Sequence, residues 1–174
     1  MSTVSLVLTV IADDRPGLVR RIADVVAAHD GNWIESSMAR LGGEFAGIVR
    51  VEAPDTRIAA LESGLAALAG DGLTITVKRG ETDHESHGQA ARISVMCQDH
   101  SGIVQALSAA LADHSVSITN LSTEVYAGSM SGERMFRAEV DVVLPVDLET
   151  GALSQALEDL AGDLMAEIDF TDIS

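Results

Sequence analysis

Asp13-Asp14-Arg15-Pro16-Gly17-Leu18-Val19 and Gln98-Asp99-His100-Ser101-Gly102-Ile103-Val104 are two versions of one passage, 85 residues apart. Each follows an alternating, β-branched run and precedes apolar residues at helical spacing, so each marks a strand turning into a helix. The match extends outward at the same offset: Val10 meets Val95, Val19 meets Val104, Ala27 meets Ala112, His29 meets His114 and Ser37 meets Ser122. Further along, the offset grows to 91, pairing Phe45 with Phe136 and Pro54 with Pro145. The six extra residues fall near Ala127–Glu133, rich in Gly and Ser, which reads as a longer hairpin tip. A repeat near 85 residues is too long for a solenoid unit and fits two copies of a small domain. The copies span residues 1–79 and 92–174, and the polar stretch 80–91 has the composition of a linker, with proteolysis expected first at Glu81–Gln89.

Within the first copy, Val4–Ala12 alternates as a strand. Pro16–His29 carries Leu18, Ile22, Val25 and Val26 on one helical face, with Pro16 suited to the first helical position and Gly31 to the C-terminal cap region. Trp33–Leu41 and Glu44–Ala53 form a hairpin across Gly42-Gly43. Ile58, Leu61, Leu65 and Leu68 mark a second helix ending at Gly70, and Leu73–Arg79 is a last strand. The second copy repeats the order as Arg92–Gln98, Ile103–His114, Ile118–Tyr126, Met135–Leu144, Leu148–Ala161 and Met165–Thr171. The order βαββαβ, twice, predicts an α+β chain of two tandem ferredoxin-like domains, each an antiparallel sheet with helices on one face. Each copy has about 80 residues, where a lone core is marginal, so pairing of the units, or a homodimer, is expected on stability grounds.

Composition narrows the function. Eleven Lys and Arg against 27 Asp and Glu give a net charge of −16, most of it in the second copy, which holds three basic and 14 acidic residues. A polyanion such as DNA is repelled by that field, and no basic helix is visible. Aromatic residues are only 3%, too few for base stacking. No apolar run approaches the ~18 residues of a membrane helix, and Met1-Ser2-Thr3-Val4-Ser5 lacks the basic start of a secretory signal. With one cysteine, Cys97, there is no internal disulfide and no thiolate metal site, which points to a reducing cytoplasm. Phosphate-loop, zinc-helix and nucleophile-elbow motifs are absent, so an enzyme is not expected and no cofactor is implied.

A strand, then Asp14-Arg15-Pro16-Gly17-Leu18, an amphipathic helix, and Gly31-Asn32-Trp33-Ile34 leading into a strand resembles the ACT domain, a regulatory module that commonly binds amino acids. Two such domains without a catalytic domain are similar to the glycine cleavage system transcriptional repressor family. The resemblance implies a small amino acid ligand, glycine or serine, and a regulatory role in transcription. The second copy departs from the pattern at Ser101, in the place of Pro16, and at Ser117, in the place of Asn32.

The residues support a ligand site on their own terms. A helix N-terminus offers unpaired N–H groups and partial positive charge to a carboxylate. Gly17 and Gly102 permit close approach, with Arg15, Pro16, Leu18, Ser101 and Ile103 framing the two turns; Asp14 and Asp99 could meet an ammonium, and Asn32 offers a donor and an acceptor. Such a site could draw on facing copies or subunits. The alternative is structural: Asp13, Asp14 and Ser101 cap the helices while the glycines allow packing. His29 and His114 suit the helix C-terminal dipole, Cys97 reads as a core residue, Trp33 as buried between helix and sheet or at the interface between copies, and His84, Glu85 and His87 make an incomplete metal set. An amino-acid-sensing regulator acting through a protein partner, such as a transcriptional activator, is the leading reading. A ligand-free assembly module is the other.

Overall fold

In the computed structural model, which describes residues 2–80, 87–130 and 132–173, the first half runs β1 (Thr3–Asp13), α1 (Leu18–Ala28), β2 (Asn32–Leu41), β3 (Glu44–Pro54), α2 (Ile58–Ala67) and β4 (Leu73–Arg79). The second half runs β5 (Gly88–Gln98), α3 (Ile103–Asp113), β6 (Ser117–Ala127), β7 (Arg134–Pro145), α4 (Thr150–Leu164) and β8 (Glu167–Asp172). The chain divides into two units, Met1–His84 and Glu85–Ser174. Each holds one antiparallel four-stranded sheet, ordered β2-β3-β1-β4 in the first and β6-β7-β5-β8 in the second. The repeated βαββαβ pattern is thus a repeated fold.

Alternation decides which sheet face each residue takes. Leu6, Leu8, Val10 and Ala12 of β1 are buried against Leu18, Ile22 and Val26 of α1 and Ile58, Leu61 and Leu65 of α2. The second core repeats this with Ile93, Val95 and Cys97 against Ile103, Leu107 and Leu111, closed by Leu153, Leu157 and Leu160. The two cores share no residue. Trp33 is half-buried against the first. In each unit the edge strand enters through a bulge at the same place, Trp33/Glu35 and Ile118/Asn120.

Several boundaries differ from the sequence expectation. β5 begins at Gly88, so residues 88–91 belong to a strand and not to the linker: Ala91 is fully buried opposite Val142. The small, polar Gly88-Gln89-Ala90 run disguised it. Residues 81–86, with His84 and Glu85, lie outside the described residues. Pro16 sits in the turn before the helix, whose N-cap is Gly17. At the other end of α1 the left-handed residue is Asp30 (φ 58°), with Ser115 (φ 55°) as its counterpart. Gly31 serves close packing instead, since a Cβ there would lie 2.7 Å from Val26. α2 runs on into a 3-10 turn, Leu68–Asp71, and the chain reverses at Gly72 (φ 82°) instead of Gly70.

Candidate functional site

The first strand of each unit, β1 or β5, is led into the following helix, α1 or α3, by a glycine whose backbone only glycine adopts easily. Gly17 has φ 88° and Gly102 φ 91°, and a Cβ at either would meet nothing within 4 Å. The demand for glycine is therefore conformational, and the ground beside it is open. No side chain caps either helix, and neither first turn holds an acidic residue. The capping role considered for Asp13, Asp14 and Ser101 is not what they do. The first backbone bonds are Arg21 N–H to Gly17 O (3.1 Å) and Ala106 N–H to Gly102 O (3.0 Å). The N–H groups before them thus present the positive end of the helix with no side-chain anion competing for it. Leu18 and Ile103, each 3% exposed, plant their side chains in the cores and offer only backbone to this surface.

Asp14 and Asp99 are engaged by arginine. The Asp14 carboxylate accepts from Arg40 Nη1 at 3.2 Å, and its backbone N–H donates to Gly43 O at 3.0 Å. The Asp99 carboxylate pairs with Arg134 Nη2 at 3.2 Å, and its N–H donates to Arg134 O at 2.9 Å. Each aspartate thus latches the glycine turn to the tip of the neighbouring hairpin. An ionised carboxylate accepts up to about four hydrogen bonds, so one guanidinium leaves it capacity for an ammonium. The two arginines were missed in the sequence because they are not counterparts. Phe45 aligns with Phe136, which aligns Arg40 with Val125 and Arg134 with Gly43. The signal available was the hairpin register, which brings Glu44 beside Asp13 and so carries the tip to the glycine turn.

Asn32 does not join this group within one unit. It pairs with Glu52, which pairs with Ser5, eight residues along β1 from Asp13, or about 27 Å at ~3.4 Å per residue. It stands at the opposite end of the sheet. Other groups do gather at the first junction: Arg15 reaches toward Gly72, and Arg21 pairs with Asp71 at 2.5 Å, tying α1 to the approach of β4. In the second unit Ala106 replaces Arg21, and His100 Nδ1–H donates to Ser101 O at 3.0 Å, bracing a turn that lacks the proline. The first junction gathers three arginines, Arg15, Arg21 and Arg40, the last two paired with Asp71 and Asp14, where the second has Arg134 paired with Asp99.

His29 and His114 have the helix-terminal role expected of them. Their Nδ1–H groups donate to Val25 O (2.8 Å) and Ala110 O (2.9 Å). Among the described residues no group of three or more His, Cys, Asp or Glu is placed to hold a metal ion, and no helix is long and apolar enough to cross a membrane. Cys97 is 3% exposed; burial, and then the Asp99 carboxylate, push its thiol above the ordinary range. Both effects suppress the reactive thiolate. Iodoacetamide at neutral pH is therefore expected to leave Cys97 unmodified in native protein and to label it once denaturant opens the second unit, as read by intact mass.

Residues 5–78 match the ACT domain family model. Over its whole length the chain is similar to the crystal structure of an unknown protein from Galdieria sulphuraria, at 29% identity and a TM-score of 0.84, covering 99% of this chain and 100% of that one. A protein provisionally described as a glycine cleavage system transcriptional repressor shares the fold at 22% identity and a TM-score of 0.75, covering 100% of this chain and 99% of that one. No curated protein matches. The first unit thus matches the ACT domain family, and the second unit repeats its strand order and βαββαβ fold.

Proposed function

We infer that the protein is an amino-acid-sensing regulator whose first β1–α1 junction binds a small amino acid, glycine or serine. The observation that carries this reading is the uncapped helix N-terminus behind Gly17, open at the Cβ position and flanked by Arg15, Arg21 and Arg40. The helix N–H groups would take the carboxylate, and the spare acceptor capacity of Asp14 the ammonium. Any part played by Asn32 would require a second copy. The reading assigns no catalytic step; an ACT domain regulates by changing contacts when it is occupied.

The test is a calorimetric and thermal-shift screen of glycine, serine and the other common amino acids. A ligand at 100 times its dissociation constant is expected to stabilise a two-state fold by ~2.7 kcal/mol. Silence across the set would favour the second reading, a ligand-free assembly module, to which the prior engagement of Asp14 and Asp99 by arginine lends some support.

The signal is read as passing through a protein partner, such as a transcriptional activator, and not through DNA. Residues 92–174 set only Arg92, Arg134 and Arg137 against 14 acidic residues, and all three pair with carboxylates, of Asp141, Asp99 and Glu124. No retention of duplex DNA is expected in low salt, where electrostatic attraction is greatest. Micromolar binding that weakens steeply with added salt would overturn this route.

A further inference from the structure

The helix-free faces of the two sheets have the same fold beneath them and opposite chemistry above. On the first, alternation places Thr9 and Ile11 of β1 beside Ile48 and Ala46 of β3, with Thr74 and Thr76 of β4 alongside. Ile11 is 51% and Ile48 56% exposed. The centre of this face holds no charge. One end of it carries a single row across all four strands: Glu35, Arg50, Val7, Lys78. On the second face the registers put Glu139 where the first has Ile48, Arg137 for Ala46, Arg92 for Val7, and Asp169 for Thr76. That face carries charges along its length, with Arg92 paired to Asp141 at 2.7 Å.

We propose that the open face of the first sheet is a homodimer interface, occupied by the same face of a second copy. A twofold axis parallel to the strands, between β1 and β3, exchanges the central strands. Ile48 then packs on the second copy's Thr9, and Ile11 on its Ala46. The same operation exchanges the edges, so Lys78 of each copy meets Glu35 of the other. Glu35 is 64% exposed in its pair with Arg50 (3.0 Å), which leaves it room for a second cation. The uncharged centre and the Lys78–Glu35 end are therefore complementary to themselves, as a twofold interface must be, whereas the other end would set Asp13 against Glu44 of the second copy, so the contact stops short of that row. Sheets stacked with their strands aligned pack in this way ~10 Å apart.

The area sets the strength. Four strands about 4.8 Å apart and about seven residues long, the length of β4, cover roughly 450–500 Å² per copy. About 1,000 Å² in total is the lower end for a specific interface. The dimer is accordingly weak, with a dissociation constant in the micromolar range.

Lys78 is the chain's single lysine, which makes the test selective. Within one copy Lys78 and Glu35 stand three strand spacings apart, about 14 Å, farther than the two side chains reach. A zero-length carbodiimide cross-link between them therefore forms only between copies. Sedimentation velocity from about 1 to 100 µM is expected to show reversible dimerisation, with the Lys78–Glu35 link in peptides of the cross-linked dimer. Ile48→Glu installs the residue that the second unit already carries at this place, so the fold is kept, as circular dichroism checks. It buries an unpaired charge twice over by symmetry, and dimerisation is expected to weaken by on the order of 100-fold. A wild-type chain monomeric at 100 µM overturns the proposal. So does a dimer that Ile48→Glu leaves unchanged, which would place the interface elsewhere.

Discussion

Gly17→Leu is expected to leave the protein folded and unable to bind glycine or serine at concentrations that saturate the wild type. Two effects act together. At φ 88° an L side chain costs about 1–2 kcal/mol, a sum the unit survives if its stability is ordinary. The leucine side chain also fills the open ground in front of the helix N-terminus, where the carboxylate would sit. Gly102→Leu carries the same conformational cost at φ 91° and serves as the control, because the site is assigned to the first unit. Titration calorimetry on both variants, with circular dichroism to check the fold, separates the effects. Undiminished binding by Gly17→Leu removes the first junction as the site, and loss of binding in Gly102→Leu alone moves it to the second.

The larger effect on stability is expected from Leu65→Ala. Leu65 is fully buried in α2 against the first core, and truncation in such a setting costs about 2–5 kcal/mol. For a unit of about 80 residues, each kcal/mol moves the midpoint by roughly 4–8 °C, so a drop on the order of 10 °C or more is expected. Because the two cores share no residue, scanning calorimetry should show the first unit melting early while the second keeps its transition. One undivided transition shifted as a whole would mean that the units unfold as a single cooperative body.

The fold was legible because the chain states it twice. Wherever one copy was ambiguous, the other supplied a second example of the same pattern, and the apolar spacing of Leu18, Ile22 and Val26 is that of Ile103, Leu107 and Leu111. The glycine turns were legible as well, since few residues besides glycine tolerate positive φ at a helix entry. What escaped depends on contacts distant in sequence. Asn32 follows α1 closely in the chain, yet strand order and direction carry it to the far end of the sheet. Gly88-Gln89-Ala90 looks like a linker until its partners Pro145, Leu144 and Val143 are known. Arg40 and Arg134 could not be found by aligning the copies, because they meet equivalent aspartates from inequivalent positions.

That inequivalence sets the grain along which the chain can be recombined. A hybrid hairpin joining β2 to β7 would bring two arginines, Arg40 and Arg134, to a single aspartate. The reciprocal hybrid, β6 joined to β3, would bring none, leaving Val125 and Gly43 at the two positions. The exchangeable module is therefore the whole hairpin, both strands with their tip. Chimeras cut within it lose the latch or crowd it, whereas those cut at its base carry the arginine with them.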